Sequence, residues 1–148
     1  MGGTDHDPAE RRRDVNSPTT TIELTAELKS DRPGELAKAV TAIANMDVNI
    51  EGYCEIDGRF HVVTSDPADA RKALEMVGFT VTSTEIMVIE TEDRPGALAN
   101  ILRRISAEEL NVLHSYTLTK TRVAITVDQP ERLRDVLHDL SPAATRLR

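Results

Sequence analysis

The sequence predicts an α+β fold built from two tandem β-α-β-β-α-β units. An internal repeat carries the first half of that statement. The tetrapeptide Asp-Arg-Pro-Gly occurs as Asp31–Gly34 and again as Asp93–Gly96, an offset of 62, and the likeness continues beyond it. Leu36 matches Leu98, Ala37 matches Ala99, Ile43 matches Ile105, and Asn49-Ile50 matches Asn111-Val112. Periodicity carries the second half: each tetrapeptide follows a run of strand formers and opens a segment with helical spacing. A unit of roughly 60 residues buries only about 60% of its unfolded surface. The two units are therefore expected to pack together.

Residues 1–20 are polar, with Gly2, Gly3, Pro8, Arg11 to Arg13 and Ser17-Pro18, and read as a disordered tail. Unit one spans 21–83. Ile22, Leu24, Ala26 and Leu28 alternate with Thr21, Glu23, Thr25 and Glu27, the pattern of a strand with one buried face. After the Pro-Gly turn, Leu36, Ala39, Val40 and Ile43 predict a helix to about Asn45. Strand character returns over Val48–Ile56, Asp57-Gly58 marks a tight turn, and Phe60–Thr64 pairs back as a hairpin. Asp66-Pro67 opens a second helix with Ala70, Ala73, Leu74 and Val77 on one face, and Gly78 stops it. Phe79–Ser83 is the fourth strand.

Unit two spans 84–148 and repeats the order. Ile86–Thr91 is its first strand, and Ala97–Ala107 its first helix, with Leu98, Ile101, Leu102 and Ile105 inward. Asn111–Leu118 and Arg122–Val127 form the hairpin, whose turn is one residue longer. Pro130–Leu140 is a helix, and Ala143–Arg148 a weak final strand. No Gly or Pro interrupts Phe79 to Glu90, so the units are joined without a linker.

Composition narrows the function. With two Phe, two Tyr and no Trp, the core must be aliphatic. The net charge of −7, with no strongly basic segment, argues against nucleic acid. Cys54 is the only cysteine, so neither an intrachain disulfide nor a Cys-based metal site is expected. Along the chain His61 and His114 stand apart from other ligand residues, and no metal or cofactor is expected. No secretory leader or apolar stretch long enough to span a membrane is read, which points to a cytoplasmic chain.

Four strands with two helices on one face make a ferredoxin-like sandwich, and a fold with so many uses must be decided by its site. An RNA-binding version needs stacking aromatics and basic flanks, which the strands lack. A metal-carrying version needs Cys-x-x-Cys in the first turn, where this chain has Asp-Arg-Pro-Gly. The turn itself suggests a small-molecule site. A helix that starts directly after a strand leaves its first amides without intrahelical acceptors. Asp31 and Asp93 sit where an N-cap is expected, Pro33 and Pro95 in the first turn, and Gly34 and Gly96 lack a Cβ that would keep a ligand from the backbone. A carboxylate suits the helix N-terminus and an ammonium suits the aspartate, so a zwitterion, an amino acid, fits both. Pro-Gly is equally a plain helix-start signal, and Asn49 and Asn111 are equally turn residues.

These residues resemble the ACT domain family, amino-acid-binding regulatory modules. The resemblance rests on Asp31-Arg32-Pro33-Gly34-Glu35-Leu36-Ala37 with Asn49-Ile50, and on Asp93-Arg94-Pro95-Gly96-Ala97-Leu98-Ala99 with Asn111-Val112. It covers about residues 21–148 and implies ACT-like units paired side by side. It further implies that effectors bind between the turn of one unit and the second strand of its neighbour. The site residues it implies are Asp31, Gly34, Glu35, Leu36, Asn49 and Ile50 in unit one, and Asp93, Gly96, Ala97, Leu98, Asn111 and Val112 in unit two. The chain looks like a stand-alone tandem ACT protein, expected to form a homodimer and to act on an enzyme or regulator of amino-acid metabolism. The alternative is a ligand-free interaction module of the same fold. No nucleophile elbow or paired catalytic carboxylates are evident, so no catalytic residues are assigned and no enzyme activity is expected. Cys54 reads as an apolar strand residue.

Overall fold

The computed structural model describes residues 18–28, 32–133 and 135. In chain order the elements are β1 (Thr19–Glu27), α1 (Glu35–Asn45), β2 (Ile50–Ile56), β3 (Arg59–Thr64), α2 (Pro67–Met76), β4 (Thr80–Glu90), α3 (Ala97–Ala107), β5 (Val112–Leu118) and β6 (Arg122–Val127), followed by a 3-10 turn at Pro130–Arg132. The fold is mixed α+β. Only the start of the expected helix at 130–140 falls within the described residues. The expected final strand at 143–148, Asp31 and all but the end of the expected tail lie outside them.

Local chemistry places most elements where periodicity put them. Asp57 and Gly58 both have positive φ, 53° and 73°, so they make the two-residue turn that matches strand twist between β2 and β3. Asp66 caps α2, its Oδ1 accepting from the Asp69 amide at 3.1 Å, with Pro67 in the first turn. β1 starts at Thr19, two residues earlier than alternation indicated, because Thr19 and Thr20 pair with Val88 and Met87.

The main departure is at the junction. The two strands expected at 79–83 and 86–91 are one strand, β4. Residues 80–88 lie beside β1 in a register from Glu27↔Thr80 to Thr19↔Val88, and the C-terminal end, 87–90, pairs with β6 from Met87↔Ile125 to Glu90↔Arg122. All six strands therefore form one sheet, in the order β2-β3-β1-β4-β6-β5.

Three apolar clusters hold this sheet. Leu24, Ala26, Phe60, Val62 and Val81 meet Ala39, Ile43, Ala70 and Leu74 from α1 and α2. Met87, Ile89, Val123 and Ile125 meet Ile101 and Ile105 from α3. Cross-strand pairs such as Ala26↔Val81 and Thr20↔Met87 put both clusters on the same face. The third cluster, Val63, Ile86, Val88, Leu118 and Ala124, lies on the opposite face, which no helix covers among the described residues. That face is buried because the sheet curls until its outermost strands meet. The Thr119 amide donates to the Glu51 carbonyl at 2.8 Å, and Arg122 Nη2 donates to Glu51 Oε1 at 3.0 Å. Gly52 permits the approach: a Cβ there would lie 2.3 Å from Leu118 Cδ2 and 2.6 Å from the Thr117 carbonyl oxygen.

Candidate functional site

The Arg-Pro-Gly part of the repeated tetrapeptide makes the same turn in both copies. The Glu35 amide donates to the Arg32 carbonyl and the Ala97 amide to the Arg94 carbonyl, both at 3.3 Å. The residues between are Pro33-Gly34 and Pro95-Gly96, with φ +94° at Gly34 and +86° at Gly96. Proline followed by glycine at positive φ is a type II turn. Each glycine is also the helix N-cap, and its carbonyl accepts the first helical bond, from Lys38 at 2.9 Å and from Asn100 at 3.0 Å. This revises the expected capping: Asp93 stands three residues before the N-cap, and the prolines precede the helices rather than entering them. Glycine is required here by its left-handed backbone. Around both positions a Cβ would meet nothing within 4 Å, so each turn faces open space. The amides of Leu36 and Ala37, and of Leu98 and Ala99, lie in first turns without intrahelical acceptors.

Each turn borders a cleft shared with the hairpin of its own unit. The first, about 560 Å³, is lined by Arg32, Gly34, Glu35 and Leu36 with Glu55, Asp57 and Gly58. The second, about 420 Å³, is lined by Glu92, Asp93, Arg94 and Leu98 with Thr117, Thr121 and Arg122. Leu98 was expected inward and is 45% exposed, forming the wall of this cleft. Ala97 is buried and faces a separate groove with Asn100 and Arg103. Arg94 pairs with Glu92 beside the turn. The second cleft reaches unit one through Arg122, which is paired with Glu51 of β2.

Asn49, Ile50, Asn111 and Val112 line neither cleft. The Asn49 backbone closes a connection instead: its amide donates to Ser65 Oγ at 3.0 Å and its carbonyl accepts from the Ser65 amide at 2.9 Å. Asn111 does the same with Asp128, at 3.1 and 3.0 Å. Ile50 and Val112 pack against the two helix-side cores. Within each unit the Asn and the turn sit at opposite ends of the hairpin, because Ile50 pairs with Thr64 whereas Glu27 pairs with Arg59.

The inner face of the curled sheet holds a polar cluster that sequence reasoning missed. Glu23, read as part of a solvated strand face, is 1% exposed. The Tyr116 hydroxyl donates to its Oε2 at 2.7 Å. His114 Nε2 lies 3.0 and 3.1 Å from its two oxygens, and His61 Nδ1 lies 3.3 Å from Oε1. The two imidazoles, read as isolated along the chain, have ring centroids 4.1 Å apart. Burial works against ionising Glu23. Hydrogen bonds from His61 and Tyr116, with His114 facing it, outweigh burial and hold the carboxyl below its ordinary range. Burial and the neighbouring Glu23 charge push the Tyr116 phenol up. Burial, then Glu23 and Glu55, also raise the Cys54 thiol, which suits an unreactive strand cysteine.

A β-bulge on β5 aims His114 into this cluster, and its counterpart recurs on β2. The β5–β6 register slips between Val112 and His114, and the β2–β3 register slips between Ile50 and Gly52. Strict alternation would put His114 on the same face as Val112. The bulge instead leaves Val112 in the helix-side core and turns His114 inward. The periodicity of β1 carried no sign that its polar face would be enclosed. The signals present in the sequence were Gly52 within a strand and a histidine on a strand of each unit.

Residues 53–141 match the family model of the ACT domain pair. Among solved structures, protein BT0572 from Bacteroides thetaiotaomicron is similar at 26% identity and a TM-score of 0.66, over 84% of this chain and 90% of that one. The ligand-free regulatory subunit of aspartate kinase from Thermus thermophilus superposes with a TM-score of 0.57 at 16% identity, over 83% of this chain and 95% of that one. Aspartokinase III from E. coli, in complex with lysine and aspartate, superposes with a TM-score of 0.54 at 12% identity, over 83% of this chain and 31% of that one. The last two share the fold. Comparison with curated protein sequences finds no match. From its repeated turns, its paired units and the family model that spans most of the chain, the protein belongs to the ACT domain pair family.

Proposed function

We propose that this ACT pair is a regulatory module that binds a free amino acid at the cleft beside the second turn and transmits occupancy to an enzyme or regulator of amino-acid metabolism. The observation that carries the reading is the pairing of an open helix start with a charge-balanced cleft. Among the described residues the second cleft has two arginines, Arg94 and Arg122, against Glu92 and Asp93, whereas the first has Arg32 against Glu35, Glu55 and Asp57. A zwitterion is favoured where charges of both signs are at hand. Its carboxylate is assigned to the amides of Leu98 and Ala99 at the start of α3, and its ammonium to Asp93. Link to unit one through Arg122 and Glu51 gives the occupied cleft a route to the neighbouring unit. Regulatory subunits of aspartate kinase, and an aspartokinase complexed with lysine, among the similar folds are consistent with this role. A homodimer, an enzyme partner and a cytoplasmic setting belong to the same proposal.

The test is calorimetric titration of the full chain with each of the twenty amino acids. Binding by wild type and its loss in Leu98→Arg supports the reading. Leu98 is 45% exposed, so the long side chain occupies the cleft without disturbing a core. If no amino acid binds wild type, the ligand-free interaction module takes its place. If binding survives Leu98→Arg but is lost in Glu55→Arg, the site is the first cleft.

A further inference from the structure

The inner polar cluster is not explained by the amino-acid reading, which concerns the outer clefts. From the convergence of its donor atoms we infer that Glu23, His61 and His114 form a binding site for a divalent first-row transition metal ion, with Zn²⁺ the reference case.

The geometry is that of a ligand set. Nε2 of His114 and Nδ1 of His61 approach the same oxygen, Glu23 Oε1, at 3.0 and 3.3 Å. The three donor atoms lie within 4.8 Å of one another. With metal–ligand bonds of about 2.0–2.2 Å, neighbouring ligand atoms in tetrahedral or octahedral shells stand about 3.0–3.5 Å apart. Two imidazole nitrogens and one carboxylate suit Zn²⁺ and its neighbours, whereas Mg²⁺ and Ca²⁺ take oxygen. The His114 nitrogen also lies 2.9 Å from Thr126 Oγ1, so one ring nitrogen faces three oxygens. Tyr116 holds the remaining carboxylate oxygen, as an outer partner that orients a ligand. The cluster opens on a cavity of about 460 Å³, which leaves room for water or another small donor to complete the shell.

The repeat supplies an internal control. Leu24 pairs with Val62 in unit one as Met87 pairs with Ile125 in unit two, an offset of 63 on both strands. At that offset Glu23 corresponds to Ile86 and His61 to Ala124, both buried on the inner face. The architecture therefore accepts apolar residues at the very places where unit one carries a carboxylate and an imidazole. Burying Glu23 costs free energy that the fold does not require, and the bulge common to both hairpins carries Gly52 in unit one where unit two carries His114.

The test uses the full chain stripped with EDTA and titrated with Zn²⁺ by calorimetry and with Co²⁺ by visible absorption. One ion per chain should bind, with Co²⁺ giving d–d bands and Zn²⁺ raising the melting temperature. His61→Ala installs the residue that the repeat tolerates at the equivalent place, so it should fold. It and His114→Ala should each weaken binding by more than the roughly 10–100-fold that loss of an outer-shell partner costs. Tyr116→Phe should weaken it by no more than that range. Absence of Zn²⁺ and Co²⁺ binding by wild type overturns the proposal, and the cluster is then a hydrogen-bonded network. Unchanged binding in the double variant His61→Ala/His114→Ala also overturns it, because the ion then sits elsewhere. Neither result bears on amino-acid binding at the turns.

Discussion

Replacing Gly52 with alanine tests whether the two outer strands meet. The added Cβ would stand 2.3 Å from Leu118 Cδ2 and 2.6 Å from the Thr117 carbonyl oxygen, with the Leu118 Cα at 3.2 Å. Leu118 is 6% exposed and packed among Val63, Ile86 and Ala124, so its tip has little space to turn into. The carbonyl belongs to the backbone of β5, and relieving that contact means moving the strand. Such overpacking costs about 1–3 kcal/mol. Displacing β5 also strains the bond from the Thr119 amide to the Glu51 carbonyl, worth about 1 kcal/mol. Against this, alanine lowers the entropy of the unfolded chain by about 0.4–1 kcal/mol in favour of the fold. The net loss is about 2 kcal/mol, which lowers the melting temperature of a domain this size by about 4–8 °C. The assay is thermal unfolding followed by circular dichroism, with urea unfolding for the free energy. A melting temperature that is unchanged or raised refutes the closure, because on an open sheet edge alanine in place of glycine is neutral or stabilising.

Other outcomes follow from the same structure. Gly34→Ala and Gly96→Ala should each cost about 1–2 kcal/mol in urea unfolding, from the left-handed backbone alone, since no neighbour stands within 4 Å; a neutral result contradicts the type II turn. Glu23→Leu should cost about 2–3 kcal/mol by leaving the Tyr116 hydroxyl without its acceptor and each imidazole with only a threonine hydroxyl, Thr25 for His61 and Thr126 for His114, and Tyr116→Phe should cost less, about 1.5 kcal/mol; the reverse order would show that Glu23 is not the hub. Light scattering at tens of micromolar should give a dimeric mass. A dimer made by pairing free sheet edges would need β2 and β5 apart, so Gly52→Ala should not lower the dimer mass if another surface joins the copies.

Local pattern and global shape were legible to different degrees. Helix limits followed from residues close in sequence: Ala97–Ala107 is where apolar spacing ends at both sides, and Asp66-Pro67 and Gly78 punctuate α2. The β2–β3 turn followed from Asp57-Gly58 for the same reason. The repeat predicted two like units joined without a linker. It did not show that β4 belongs to both, because strand formers on either side of residues 83–85 read equally as one strand or two. The glycine of each Pro-Gly reads in sequence as openness to a ligand, whereas its first duty is a φ near +90°, beyond the left-handed values near +55° that Asp57 adopts. The largest omission concerns the inner face. Thr21, Glu23, Thr25 and Glu27 alternate as a solvated strand face does, and nothing within nine residues tells a polar face in water from one enclosed by a curled sheet. Glu23 meets His114 across 91 residues of chain, and that meeting depends on a bulge near Leu113 and on Gly52 at the closing edge. Such contacts are products of tertiary closure, to which local periodicity is blind.

The central claim is that this ACT pair senses a free amino acid, and a thermal-stability screen of the full chain against all twenty tests it most directly. A ligand that binds only the folded state adds about 2.7 kcal/mol when present at 100 times its dissociation constant. For a chain of this size that raises the melting temperature by about 5–11 °C. The account predicts a shift of this order for at least one amino acid, and its absence in Leu98→Arg. No shift with any of the twenty at millimolar concentration, or an equal shift in Leu98→Arg and Glu55→Arg, would contradict it.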